Sequence, residues 1–189
     1  QQGNTWEQVI SQQELTNGAY IRTGDGQATI LYHEYGVIRL DEDTTIVLHD
    51  TSGSLKPARE QLPTLSLIEG RLWYVGFVPV DLRGVTIDTQ DAQITVHEGS
   101  VSLTHKQEPT LIEVLDRRAN VVTNGSQFTL IEGEQLSVQP GANLSPRPIL
   151  AATYTESWYD ENLKKDGFHR QEIATKQRQR LASQAGILP

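Results

Sequence analysis

Five histidines, His33, His49, His97, His105 and His169, are the side chains here best suited to move protons or hold a metal near neutral pH. None falls in an H-x-x-x-H or H-E-x-x-H pattern, which would set two imidazoles on one helix face. His97 and His105 flank one hairpin-like unit, so a close approach of that pair stands beside the plainer reading of exposed turn histidines. The run "LDEDT" at 40–44 offers Asp41 and Asp43, hard oxygen ligands two residues apart that could converge on calcium in a loop. The further ligands of a dedicated cage are missing from the run, and a solvated turn is the alternative. G-x-S-x-G, P-loop and dinucleotide fingerprints are absent, "TGDGQA" at 23–28 reads as a hairpin turn, and no carboxylate pair stands out for glycan hydrolysis. The expectation is a chain without enzymatic activity, catalytic residues or cofactor.

Composition narrows the classes further. With no cysteine, the chain has no disulfide, thiolate metal site or thiol nucleophile. Its 16 basic and 24 acidic side chains leave a net charge of −8, which argues against nucleic acid or anionic lipid as a partner. The acidity belongs to residues 1–155, with 10 basic and 19 acidic side chains, against 6 and 5 in 156–189. No apolar run reaches the roughly 20 residues of a membrane span. A start at Gln1-Gln2, with no methionine anywhere, leads to the expectation of a processed, exported product found outside the cell, at its surface or in the periplasm. The sequons at Asn124 and Asn143 are as many as chance supplies among six asparagines.

The elements that would position any site are mostly strands. Thirteen short runs between about 18 and 139, among them "ATILYH", "RLWYVGFV", "QITVH" and "FTLIE", are rich in Val, Ile, Thr, Leu and aromatics, and many alternate apolar with polar. Turn signals such as "NG", "GDG" and "SG" separate them. Three near-copies of one phrase, "LIEGRLWYV" at 67–75, "TVHEGSVSL" at 95–103 and "TLIEGEQLSV" at 129–138, place Gly70, Gly99 and Gly133 where the backbone turns, with φ > 0 expected. With Gly36, which opens "VIRL", the spacings are 34, 29 and 34 residues. That regularity predicts coils stacked into an irregular β-solenoid, with a sandwich or roll as the alternative.

Four segments follow: an extended 1–16, the β-solenoid at 17–139, a Pro-rich connector at 140–155, and a helical appendage at 156–189. In the last, "ESWYDENLKKD" has helix-forming composition with Ser157 as N-cap, Gly167 is read as the stop, and a second helix ends at Gly186. Trp158, Leu163 and Phe168 are candidate anchors of this two-helix appendage, onto the β body or a neighbour.

The "G-x-x-I-R-T-G" entry at 18–24, "GVIRLDEDT" at 36–44, "EGRLWY" at 69–74 and the late "EG" returns, in that order, resemble the FecR-type domain of bacterial envelope proteins over about 5–140. The resemblance implies a β-helical extracytoplasmic domain without catalytic residues, used in signalling or as a surface module. The family's "V-R-G-T-x-F" phrase is reduced to "GSQF" at 125–128.

For partners the sequence points to protein. Trp73 and Phe77 fall on one face of an extended strand and Tyr74 on the other, either as a contact surface or as a strand buried on both sides. An uncapped end, with Trp6, Val9 and Ile10 available to insert into a neighbouring sheet, points to self-assembly by strand addition, against folding back on its own chain. The expected function is an interaction or scaffold module at the envelope or cell surface, with two alternatives: a self-assembling extracellular filament subunit, and a periplasmic sensor domain of a signalling regulator.

Overall fold

The computed structural model describes residues 8–9, 12–32, 36–49, 64–77, 84–106 and 109–184, with backbone alone at 77, 173–174 and 176–184. Trp6, Ile10 and His33 lie outside the described residues. The β-branched runs pair as expected, into β1 (Tyr20–Arg22), β2 (Ala28–Tyr32), β3 (Gly36–Leu40), β4 (Thr45–Leu48), β5 (Leu65–Phe77), β6 (Val85–Asp88), β7 (Gln93–Val96), β8 (Glu98–His105), β9 (Thr110–Thr123), β10 (Ser126–Ile131), β11 (Glu134–Val138) and β12 (Arg147–Pro148). A 3-10 turn at Thr153–Thr155 leads into α1 (Ser157–Gln184).

The mainly β class stands, but the pairing is that of a barrel with extra strands rather than a stack of coils. β5 pairs with β6, β6 with β7, β7 with β9, β9 with β8, and β8 returns to β5, closing five strands on themselves. Coils stacked in a solenoid would pair in parallel at every rung; here, among the described strands, only β5 and β6 do so. Closure works because two strands are long enough to serve two sheets. β5 pairs with β4 and β6 up to Glu69 and with β3 and β8 from Gly70 onward. β9 pairs with β8 and β11 in its first half and with β7 and β10 in its second.

Each long strand bends where a residue takes positive φ: Gly70 at 108° and Arg117 at 64°. Gly70 is therefore a corner inside a continuous strand, and a Cβ there would lie 2.5 Å from the Thr44 Cα, which only glycine permits. Gly99 and Gly133 also have positive φ, Gly99 near the start of β8 and Gly133 in the turn between β10 and β11. The repeated phrase thus marks places where the backbone needs glycine, in three different settings, without marking a structural repeat.

Gly36 departs from the expectation of a turn. It opens β3, faces Gly76 across the ladder, and the Tyr74 ring occupies the space above both; a Cβ on Gly36 would come within 2.7 Å of that ring. Tyr74 belongs to the barrel core with Ile38, Leu72, Val101 and Ile112, while its neighbour Trp73 points out of the barrel into a second cluster with Leu115, Ile149, Trp158 and Tyr159. The central strand is buried on both faces, as the second of the two sequence readings had it.

The appendage also differs. It is one helix of 28 residues, and Gly167 lies inside it, exposed, with no atom within 4 Å of where its Cβ would be. A helical glycine in open space costs only about 1 kcal/mol, which docking of the helix outweighs. Ser157 is the first helical residue rather than the cap before it.

Candidate functional site

Trp158, Asn162, Asp166 and Arg170 recur every four residues along α1, so they share one helix face. That face lies against the outer side of β3, β5, β8 and β9. Trp158 and Tyr159 begin the contact, each edge-on to Trp73 at centroid distances of 6.5 and 5.9 Å. The Arg71 guanidinium sits 5.6 Å from the Trp158 ring centroid and reaches Glu156 at 3.7 Å and Asp41 at 3.4 Å.

About two turns further on, Asp166 is the centre of a buried polar cluster. Its Oδ1 accepts a hydrogen bond from Arg39 Nη1 at 2.6 Å, and its Oδ2 accepts from Ser100 Oγ at 2.6 Å and from Trp73 Nε1 at 3.0 Å. The Arg39 and Asp166 side chains are 4% and 3% exposed, so the pair is shielded from water and held by directed bonds. Arg39 Nη1 also donates to Asn162 Oδ1 at 3.2 Å, and Asn162 Nδ2 donates to the Trp158 carbonyl at 2.7 Å. Arg39 can reach the helix because it alternates out of β3 opposite Trp73, between the core residues Ile38 and Leu40. At the far end Arg170 pairs with Asp116.

A second buried contact joins Tyr159, whose hydroxyl donates to Glu113 Oε2. Burial pushes the Glu113 carboxyl above the ordinary carboxylate range, against the smaller lowering effect of that hydrogen bond. Burial, and then the bond to Glu113, push the Tyr159 phenol far up as well, so it remains a neutral donor. The arrangement binds a helix to a sheet; its buried carboxylates point into the seam.

The candidates named from sequence fall in different places. Trp73 and Trp158 meet in the seam, Tyr74 is in the barrel core, and Phe168 (76% exposed) and Val9 face solvent. Asp41 receives a hydrogen bond from Gln27 at 3.0 Å in addition to its pair with Arg71, and Asp43 sits in the following turn with φ 51°. Among the described residues no three His, Asp or Glu side chains come together as a metal site would require. His97 lies in the bend just before the extended β8 and His105 ends that strand, roughly 25 Å apart at about 3.3 Å per residue. His49 meets Ser66 and His105 meets Thr110, each at hydrogen-bond distance. Asn162, Asp166 and Arg170 were missed because polar residues on a helix read as solvent-facing, and the available signal was their spacing by fours from Trp158; Arg39 was missed because its partners lie more than 120 residues away on that helix.

No family profile matches the sequence, and neither does any curated protein. Solved structures do match in fold. Two crystal structures, each of a provisionally assigned anti-sigma factor from Parabacteroides distasonis ATCC 8503, superpose with TM-scores of 0.59 and 0.57 at 14% identity, over 72% of this chain. The match spans 62% and 63% of the length of those chains. At that identity the likeness speaks for the fold alone. No helix among the described residues is long and apolar enough to cross a membrane.

Proposed function

We propose that this chain is a non-enzymatic, extracytoplasmic protein-interaction module of the FecR type, serving as a sensor or docking domain in envelope regulation or as a scaffold there. The observation that carries the regulatory part of this reading is the fold shared with the two provisionally assigned anti-sigma factors, and the order of FecR-like motifs along the β body supports the FecR part. The buried ionisable groups of the seam support it too, since Arg39, Asp166 and Glu113 are engaged in holding α1 to the barrel instead of facing a cleft.

A second reading, a self-assembling filament subunit, draws on one feature of the sheet. Among the described residues β2 pairs with β3 alone, and it carries Leu31 at 68% exposure, which suits strand addition. Sedimentation of the purified chain across a concentration series, with negative-stain images of the same samples, separates the two. The module reading predicts one compact species of about 21 kDa, the size of a single packed domain. Regular linear assemblies would replace it with the filament reading.

A further inference from the structure

Apolar contact between α1 and the barrel is concentrated at the start of the helix, where Trp158, Tyr159 and the half-buried Leu163 pack with Trp73, Leu115 and Ile149. The next positions on the same face, Asp166 and Arg170, are charged and meet Arg39, Ser100, Trp73 and Asp116 through polar bonds. Beyond Arg170 the helix continues to Gln184, about 21 Å at 1.5 Å per residue. The described side chains on that stretch, Gln171, Glu172 and Thr175, are exposed. Gly167, a weak helix former, follows Asp166 directly.

The polar half of this seam is specific in geometry and modest in net energy. Opening it returns Arg39 and Asp166 to water, which recovers the cost of having buried two charges. The same opening hydrates donors that have no acceptor among the described residues, Arg39 Nη2, Trp158 Nε1 and Arg170 Nε. The barrel has a closed ladder and its own core, to which α1 contributes no residue.

We propose that α1 is a releasable latch: residues 157–170 leave the sheet as one unit while the barrel stays folded, uncovering the strip formed by Arg39, Trp73, Ser100 and Glu113. The proposal rests on the reading of the chain as an interaction module and supplies its regulated element.

Hydrogen exchange followed by mass spectrometry on the full chain tests it. The amides of 161–170 are expected to exchange as a block at least about tenfold faster than those of β5, β8 and β9, because a local opening has a smaller free energy than global unfolding. Asp166→Asn, which leaves the shape and removes the charge opposite Arg39, is expected to speed that block by a further factor of at least about ten and leave the strands unchanged. Phe168→Ala, on the exposed side, is expected to change neither. Equal exchange of helix and strands in the parent chain would overturn the latch, as would a uniform acceleration of both by Asp166→Asn. The parent measurement decides even if the variant does not fold. Since exchange is read on the isolated chain, a negative result removes the latch and leaves partner binding by the barrel standing, whereas an absent partner leaves the latch standing.

Discussion

Replacing Gly70 with alanine sets a Cβ against the backbone of Thr44, the residue that leads into β4. Two costs add. At φ 108° an L-residue is held in a sparsely populated region, for about 1–3 kcal/mol. The new methyl would also lie 2.5 Å from Thr44 Cα, a backbone atom that can move only if β4 shifts against β5, and overpacking of that kind costs about 1–3 kcal/mol. The mid-range sum is about 4 kcal/mol, or a fall in Tm of roughly 8–16 °C for a chain of this length. Gly133→Ala is the control, because Gly133 also has positive φ, 84°, but no atom lies within 4 Å of the added Cβ. It carries the conformational cost alone, about 1 kcal/mol and roughly 2–4 °C. Thermal melts followed by circular dichroism measure both. Equal Tm values for the two variants, or a Gly70→Ala chain within about 2 °C of the parent, would refute the assignment of Gly70 as a corner that glycine alone can occupy.

Other substitutions have opposite signs. Gly167→Ala fills open space inside a helix and is expected to raise the free energy of helix docking by about 0.5–1 kcal/mol, read as slower exchange of α1 amides. Tyr74→Phe removes a buried hydroxyl that has no partner among the described residues and whose ionisation burial suppresses, so Tm is expected to hold or rise by up to about 4 °C; a clear fall would show that the hydroxyl is bonded. Glu113 has a raised pKa in the folded chain, so the folded state binds more protons than the unfolded one. Its contribution is full below the ordinary carboxylate pKa of about 4.3, declines as pH rises to the folded-state value, and is constant above it. Glu113→Gln is therefore expected to be more stable than the parent at pH 7, with the difference shrinking toward pH 4 in chemical denaturation; a difference that grows on acidification would contradict the sign.

Much of the β body was legible because its signals are local. Alternating Val, Ile and Thr runs marked the strands, and the glycines of the three "EG" phrases were correctly read as positions of positive φ. What those glycines build was not legible. Gly70 and Arg117 bend strands that continue through them, so two pairs of runs read as separate strands are the halves of β5 and β9, and the regular spacing suggested coils where four antiparallel ladders and one parallel ladder close a barrel. Gly36 is set by a contact with the Tyr74 ring, a residue 38 positions away that no local pattern predicts. In α1, composition found the helix and the anchor Trp158, while Gly167 outweighed the docking contacts in the reading and the exposed Phe168 looked like an anchor. The Asp166 cluster stayed hidden because its partners Arg39, Trp73 and Ser100 come from three strands.

The interaction-module claim is tested most directly by site-specific photo-crosslinking in the cell that makes this protein, with a photoreactive side chain at Phe168 or Leu31, both of which face solvent. One discrete adduct with a different protein is the predicted result. A ladder of adducts at multiples of the chain's 21.1 kDa, or no adduct at either position, would contradict it.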